Sequence, residues 1–161
     1  MPRLYTCKGD LGYTDMANGK RVPKDNIMIE VIGDLDEFSS MLGVAKTHLD
    51  NEALILDIEK LQNITCSVMA ELSGYGASVT EETVKNVEDM INRYGVEFSG
   101  FTLPGKTKAS AFLDVSRTIV RRAERKASKA FRKKRISKPA MCLLNRISDL
   151  VYAMGRYAGR E

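Results

Sequence analysis

The sequence predicts an all-α protein, a bundle of five helices, and three observations carry that expectation. Apolar residues recur at helical spacing through five separate stretches. Strand-like alternation is almost absent. A chain of 161 residues with 43% hydrophobic content can bury one core, so one domain over 1–161 is expected. Within it, residues 1–24 read as a Gly-rich polar loop and about 25–159 as the bundle.

Taken in order, Leu35, Phe38, Leu42 and Ala45 form the stripe of the first helix. The segment "GDLDEFSS" places three carboxylates at what reads as the start of that helix, where negative charge complements the helix dipole. Leu54, Ile58, Leu61, Thr65, Val68 and Leu72 make the second helix, which stops before Gly74. Ser78, followed three residues later by Glu81, reads as a capping box that opens the third through Val84, Val87 and Ile91. The fourth is expected over roughly 107–131. The fifth carries Leu144, Ile147, Val151, Met154 and Ala158 behind Pro139, a residue suited to a helix start.

The formal net charge is +4, and residues 121–138 hold ten of the 25 basic side chains with Glu124 as the single acid. That asymmetry suggests an anionic partner: nucleic acid, phosphate or polyphosphate. Cys7, Cys66 and Cys142 are odd in number and widely spaced, which fits neither a disulfide framework nor a CxxC metal site. They read as reduced thiols, and with no membrane-length apolar run and no signal-peptide pattern the protein is expected to be soluble and cytoplasmic.

The stretch "SRTIVRRAER", residues 116–125, concentrates four arginines. At about 100° per residue, Arg121 falls about 40° and Arg125 about 80° from Arg117, with Glu124 about 20° to the other side. The opposite arc holds Phe112, Leu113, Val115, Ile119, Val120 and Ala123. A solvated face explains such a pattern; so does an anion site, since converging guanidiniums repel one another unless carboxylate or phosphate lies among them. The fifth helix has a matching polar stripe of Asn145, Asp149, Tyr152 and Arg156, and two such faces on neighbouring helices can line one cleft.

Residues 100–107, "GFTLPGKT", fit the Walker A pattern letter for letter. The pattern carries chemistry only where a buried parallel strand feeds the loop, and no βαβ units follow here. "TCKGDLGYTD", residues 6–15, is a second Gly-rich loop, in which Lys8, Thr6 and Thr14 can donate to phosphate oxygens. His48 is the only histidine, which excludes a Glu-x-x-His di-metal bundle and leaves no convincing Ser, His and Asp triad; it reads as a surface residue. Two other readings remain: a helical nucleic-acid-binding module using residues 125–138, and a P-loop ATPase.

In chain order, "YTCKGDLGYT", "VPKDN", "GDLDEFSS", "FTLPG", "SRTIVRRAER" and "LLNRISDLVY" resemble the motifs of the PduO-type ATP:cob(I)alamin adenosyltransferases, over residues 5 to about 156. The resemblance implies a ferritin-like up-down bundle of five helices assembled as a homotrimer, with sites at the subunit interfaces. It implies transfer of the 5′-deoxyadenosyl group of ATP to cob(I)alamin, giving adenosylcobalamin and triphosphate, with Mg²⁺ on the phosphates. By position, Thr6, Cys7, Lys8, Gly9 and Lys24 of one chain would line the triphosphate, with Thr14 nearby, and Arg121, Glu124, Arg125 and Asn145 of its neighbour would hold the nucleotide. Asp36 and Arg117 would pair beside the corrin and Phe101 would cover the lower face of cobalt; with Arg121 they form the implied catalytic group. The reduced cobalt is the nucleophile, which accounts for the missing triad. That chemistry leaves room for a corrinoid reductase and an adenosylcobalamin-dependent enzyme as partners, and for neither nucleic acid nor membrane. The chain departs from the family at Cys7, Phe38, Ser39, Lys106, Asp114 and Ser116.

Overall fold

A computed structural model describes residues 5–76, 78–97, 100 and 102–160. A short hairpin, β1 (Tyr13–Asp15) and β2 (Arg21–Pro23), precedes five helices: α1 (Ile27–Lys46), α2 (Glu52–Ser73), α3 (Glu81–Arg93), α4 (Lys108–Arg132) and α5 (Lys138–Ala158). Each helix runs opposite to the one before it. Pairings fix the directions: Lys46 meets Glu59, Arg122 meets Asp34 while Lys126 meets Glu30, and Asn145 meets Glu124 while Arg156 meets Asp114. The helix starts follow their caps, with the side chains of Asn26, Asn51, Thr80, Thr107 and Ser137 accepting from backbone N–H groups of the first turns. Pro139 lies in the first turn of α5, as expected.

Helix α4 packs most extensively, against α1 on one side and α5 on the other. The core between them is fully buried at Leu35, Phe38, Leu42, Leu113, Leu144 and Ile147. Each such side chain contributes about 1.5–3 kcal/mol by leaving water. Polar pins fix the periphery. The buried carboxylate of Asp57 accepts from the Tyr94 hydroxyl at 3.0 Å and pairs with Lys60 and Arg93. Burial, and then Asp57, pushes the Tyr94 phenol well above its usual range. Glu71, near the end of α2, accepts from Val79 N–H at 2.7 Å and Ser137 N–H at 3.1 Å, which ties the starts of α3 and α5 to one carboxylate.

That contact corrects one expected boundary. Ser78 does not open α3: the bond from Val79 to Glu71 holds the chain short of the helix, and Thr80 caps it instead, accepting from Thr83 N–H. The carboxylates of "GDLDEFSS" also move, because α1 begins at Ile27 and places Asp34, Asp36 and Glu37 in its interior rather than at its dipole end. Residues 1–24 were expected to form a loop throughout, but 13–23 form an antiparallel hairpin in which Thr14 pairs with Val22. Its turn uses Asn18 and Gly19, the latter at φ 78°. Val115, expected in the core arc, is 43% exposed on the edge of α4.

Candidate active site between two polar helix faces

The polar stripes of α4 and α5 meet. Between them, and under Gly100, Thr102, Pro104 and Gly105, lies a cleft of about 630 Å³ whose walls include Arg117 and Arg121 from α4 and Asp149 and Tyr152 from α5. Val115 and Thr118 supply part of its α4 wall, which explains why Val115 is not in the core. Arg125 lies on the same face one turn on, exposed.

Pairing separates the arginines of the bundle into two groups. Arg122 bonds Asp34 at 3.2 Å and also engages Glu37; Arg146 bonds Glu88 at 2.7 Å; Arg156 bonds both oxygens of Asp114 at 2.7 Å. Arg117, Arg121 and Arg125 have no carboxylate within ion-pair distance among the described residues. Arg117 Nε is, in addition, buried without an acceptor. Three guanidiniums spaced four residues apart repel one another, and a buried donor without a partner is costly, so this row is built to receive anionic groups from outside the chain's own side chains.

A relay holds the polar groups beside the row. The Asn145 side chain donates to Glu124 at 3.0 Å while its Oδ1 accepts from Arg146 at 3.0 Å, and Arg146 is itself held by Glu88. The Glu88 bond raises the Arg146 guanidinium above its usual value. Glu124 is thereby fixed on α4 between the free arginines. Desolvation pushes the Asp149 carboxyl up and Glu124 adds to this, while Arg146 and Arg121 pull it back.

The N-terminal loop is organised on its own. Arg21 donates to the Lys8 carbonyl and pairs with Asp15; Gly12 N–H donates to the Gly9 carbonyl at 3.2 Å, and Lys24 N–H to the Gly12 carbonyl at 2.8 Å. Thr6 accepts from Lys8 N–H, Thr14 sits in β1, and the Lys24 ammonium lies beside Gly9. Cys7 is exposed with φ 56°, a left-handed conformation uncommon outside glycine. Thr6, Cys7, Lys8, Gly9 and Lys24 are thus gathered in one turn. Among the described residues no hydrogen bond or ion pair of that turn reaches Arg121, Glu124, Arg125 or Asn145 of the same chain. Asp36 is exposed and not paired with Arg117 within the chain. Phe101 lies outside the described residues.

The Walker-like segment has another role. Thr107 caps α4, accepting from Ser110 N–H and donating to the Ala158 carbonyl, so its hydroxyl is already used. The strands among the described residues are the antiparallel hairpin, not a parallel sheet. Of the basic run 125–138, Lys126 is engaged by Glu30 and Asp34. His48 is exposed and stacks on Phe112 at 5.3 Å. The three cysteines are free, and among the described residues no helix is long and apolar enough to cross a membrane. Sequence reasoning missed Thr102, Glu88 and Arg146; Thr102 and Arg146 lay inside the motifs "FTLPG" and "LLNRISDLVY", whereas Glu88 carried no local signal.

The model of the family described as cobalamin adenosyltransferase matches residues 4–158. The chain is 33% identical to the corrinoid adenosyltransferase of Citrobacter freundii, over 97% of this chain and 94% of that one. It is also 33% identical to the corrinoid adenosyltransferase of Bacillus subtilis, over 96% and 85% of the two chains. Among solved structures, a variant PduO-type ATP:corrinoid adenosyltransferase from Lactobacillus reuteri complexed with cobalamin and ATP superposes with a TM-score of 0.90 at 26% identity, covering 98% of this chain and 94% of that one. With the family match running over residues 4–158 and the five-helix frame superposing on a corrinoid adenosyltransferase, the chain belongs to the cobalamin adenosyltransferase family and is an ATP:corrinoid adenosyltransferase.

Proposed function

We propose that the chain alkylates cob(I)alamin with the 5′-deoxyadenosyl group of ATP at a site completed by a second copy of itself. The unpaired state of Arg117, Arg121 and Arg125, beside paired arginines on the same helices, is the observation that carries this reading. In the reaction the electron pair of the reduced cobalt attacks C5′, the Co–C bond forms as the C5′–O bond breaks, and triphosphate departs with the bonding electrons. The chain needs no side-chain nucleophile. Its work is to hold C5′ in line with cobalt and to stabilise charge growing on the departing phosphates, for which Arg121 and Arg125 supply charged donors.

Glu124, oriented by Asn145, accepts from the nucleotide, while the turn holding Thr6, Cys7, Lys8, Gly9 and Lys24, with Thr14 alongside, wraps the triphosphate from the neighbouring protomer. Arg117 faces the corrin, where Asp36 of a neighbouring copy neutralises it, and Phe101 covers the lower face of cobalt. Mg²⁺ travels with the phosphates. Among the described residues no group of three His, Cys, Asp or Glu is placed to hold a metal.

Incubation with ATP, Mg²⁺ and chemically reduced cobalamin is expected to give a light-sensitive product with the adenosylcobalamin spectrum; no product, with a relative active alongside, overturns the reading. The shared site has its own test. Lys8→Ala and Arg121→Ala homotrimers are each expected to be nearly inactive, whereas randomly mixed trimers regain about a quarter of the sites, each built from two intact halves. No recovery after verified subunit exchange would place both halves in one chain.

A further inference from the structure

Gly100, Thr102, Pro104 and Gly105 wall the cleft, yet little in 102–105 fixes its own shape. Gly100 and Gly105 hold φ of 106° and 95°, and Leu103 is 89% exposed. Among the described residues, one hydrogen bond joins this segment to the bundle: Arg156 Nη1 donates to Thr102 Oγ1 at 2.6 Å.

Arg156 is a rigid post. Its other terminal nitrogen bonds both oxygens of Asp114 at 2.7 Å, its guanidinium carbon lies 5.4 Å from the Tyr152 ring centroid, and the two charged side chains are 13% and 11% exposed. Arg156 Nε is buried without an acceptor, so the guanidinium acts entirely through its two outer nitrogens. A planar fork clamped at one end by a carboxylate presents its remaining donors in a fixed direction, which an ammonium on a flexible stem does not.

We propose that Asp114 and Arg156 are positioning residues that fix the wall formed by Thr102, Pro104 and Gly105, through Thr102, at the width the corrin ring requires. Asp114 acts by aiming Arg156, and Arg156 by anchoring Thr102; neither takes part in the chemistry. The proposal rests on the reading above that this cleft receives the corrinoid. It separates the two substrates: a slack wall weakens corrinoid binding, while the phosphate groups remain held by Arg121, Arg125 and the N-terminal turn.

Thr102→Val tests this, because it unhooks the wall and leaves the Asp114–Arg156 pair whole. Loss of one such bond is expected to raise KM for the corrinoid about threefold or more, with KM for ATP and the melting temperature unchanged. Trypsin should also cut after Lys106 faster than in the wild type. Thr102→Ser should restore both properties, and Arg156→Lys should raise the corrinoid KM further. An unchanged corrinoid KM in Thr102→Val, or equal shifts in both KM values, overturns the proposal. Failure of the wild-type protein to adenosylate any corrinoid would instead overturn the reading on which it rests.

Discussion

Replacing Arg121 with alanine should separate folding from turnover. Arg121 is exposed and makes neither a hydrogen bond nor an ion pair among the described residues, so the fold loses little when it goes. Its charge lies four residues from Arg117 and four from Arg125. Each like-charge pair at that spacing costs about 0.2–0.5 kcal/mol, so deletion relieves up to about 1 kcal/mol of repulsion. Against this stands its attraction for Asp149, one of the forces holding that carboxyl down. The two act in opposite senses, and the melting temperature should move by no more than about 2–4 °C. Turnover behaves differently. If Arg121 points at charge that develops only as triphosphate leaves, its loss should cost about 2.7–4 kcal/mol, or roughly 10²–10³ in kcat. Arg121→Lys should recover part of this, keeping the charge but losing the fork. The assay is the initial rate of reduced-corrinoid consumption at saturating ATP, beside a circular-dichroism melt. A variant with full kcat refutes the role, and so does one whose activity falls only as far as its folded fraction.

Asp114→Ala should be the opposite case, since removing one member of a buried pair costs about 3–5 kcal/mol and should lower the melting temperature by about 10 °C in a thermal melt. Gly74→Ala should raise KM for ATP and lower stability, because Gly74 holds φ 80° and a Cβ there would lie 2.5 Å from the Asn18 amide of the hairpin that carries the N-terminal turn; kinetics and a melt check both. Asp149→Asn should be at least as stable as wild type at neutral pH. The folded carboxyl keeps its proton to higher pH than the unfolded one, so the wild type loses stability as pH rises through that window, and melts at several pH values should show the two proteins converging on acidification.

The helices were legible because each must bury one stripe, and the period of 3.6 writes that stripe into the sequence at Leu54, Ile58 and Leu61 or at Leu144, Ile147 and Val151. The α3 start was not, because the contact from Glu71 to Val79 crosses between helices and leaves no local mark. The hairpin had a local mark in Asn18 and Gly19, hidden among other glycines of the segment. The row of Arg117, Arg121 and Arg125 was legible as a face; that it lacked carboxylates was not, since the partners of the other arginines lie far away along the chain. Asp114 and Arg156, 42 residues apart, meet only because α4 and α5 are antiparallel.

Helix α4 carries two cationic rows, and its rotation decides which one is structural. Arg122 and Lys126 stand one residue on from Arg121 and Arg125, about 100° around the axis. They meet Glu30, Asp34 and Glu37, the acidic side of α1, where Asp34 is only 9% exposed and pairs with both cations. A turn of α4 by one residue would bring Arg121 and Arg125 to these acids, drive Arg122 and Lys126 into the buried places of Ala123 and Ala127, and put Val120 and Glu124 at the cleft. The apolar stripe opposes that turn, and so does a nearly buried Asp34 that needs its cations where they are. Of the carboxylates of "GDLDEFSS", Asp34 and Glu37 therefore have a task other than helix-end charge. They neutralise one row of α4 and, by doing so, fix the helix phase that keeps the other row unpaired and facing α5, so the free charge of the site is a consequence of how the fold spends its acids.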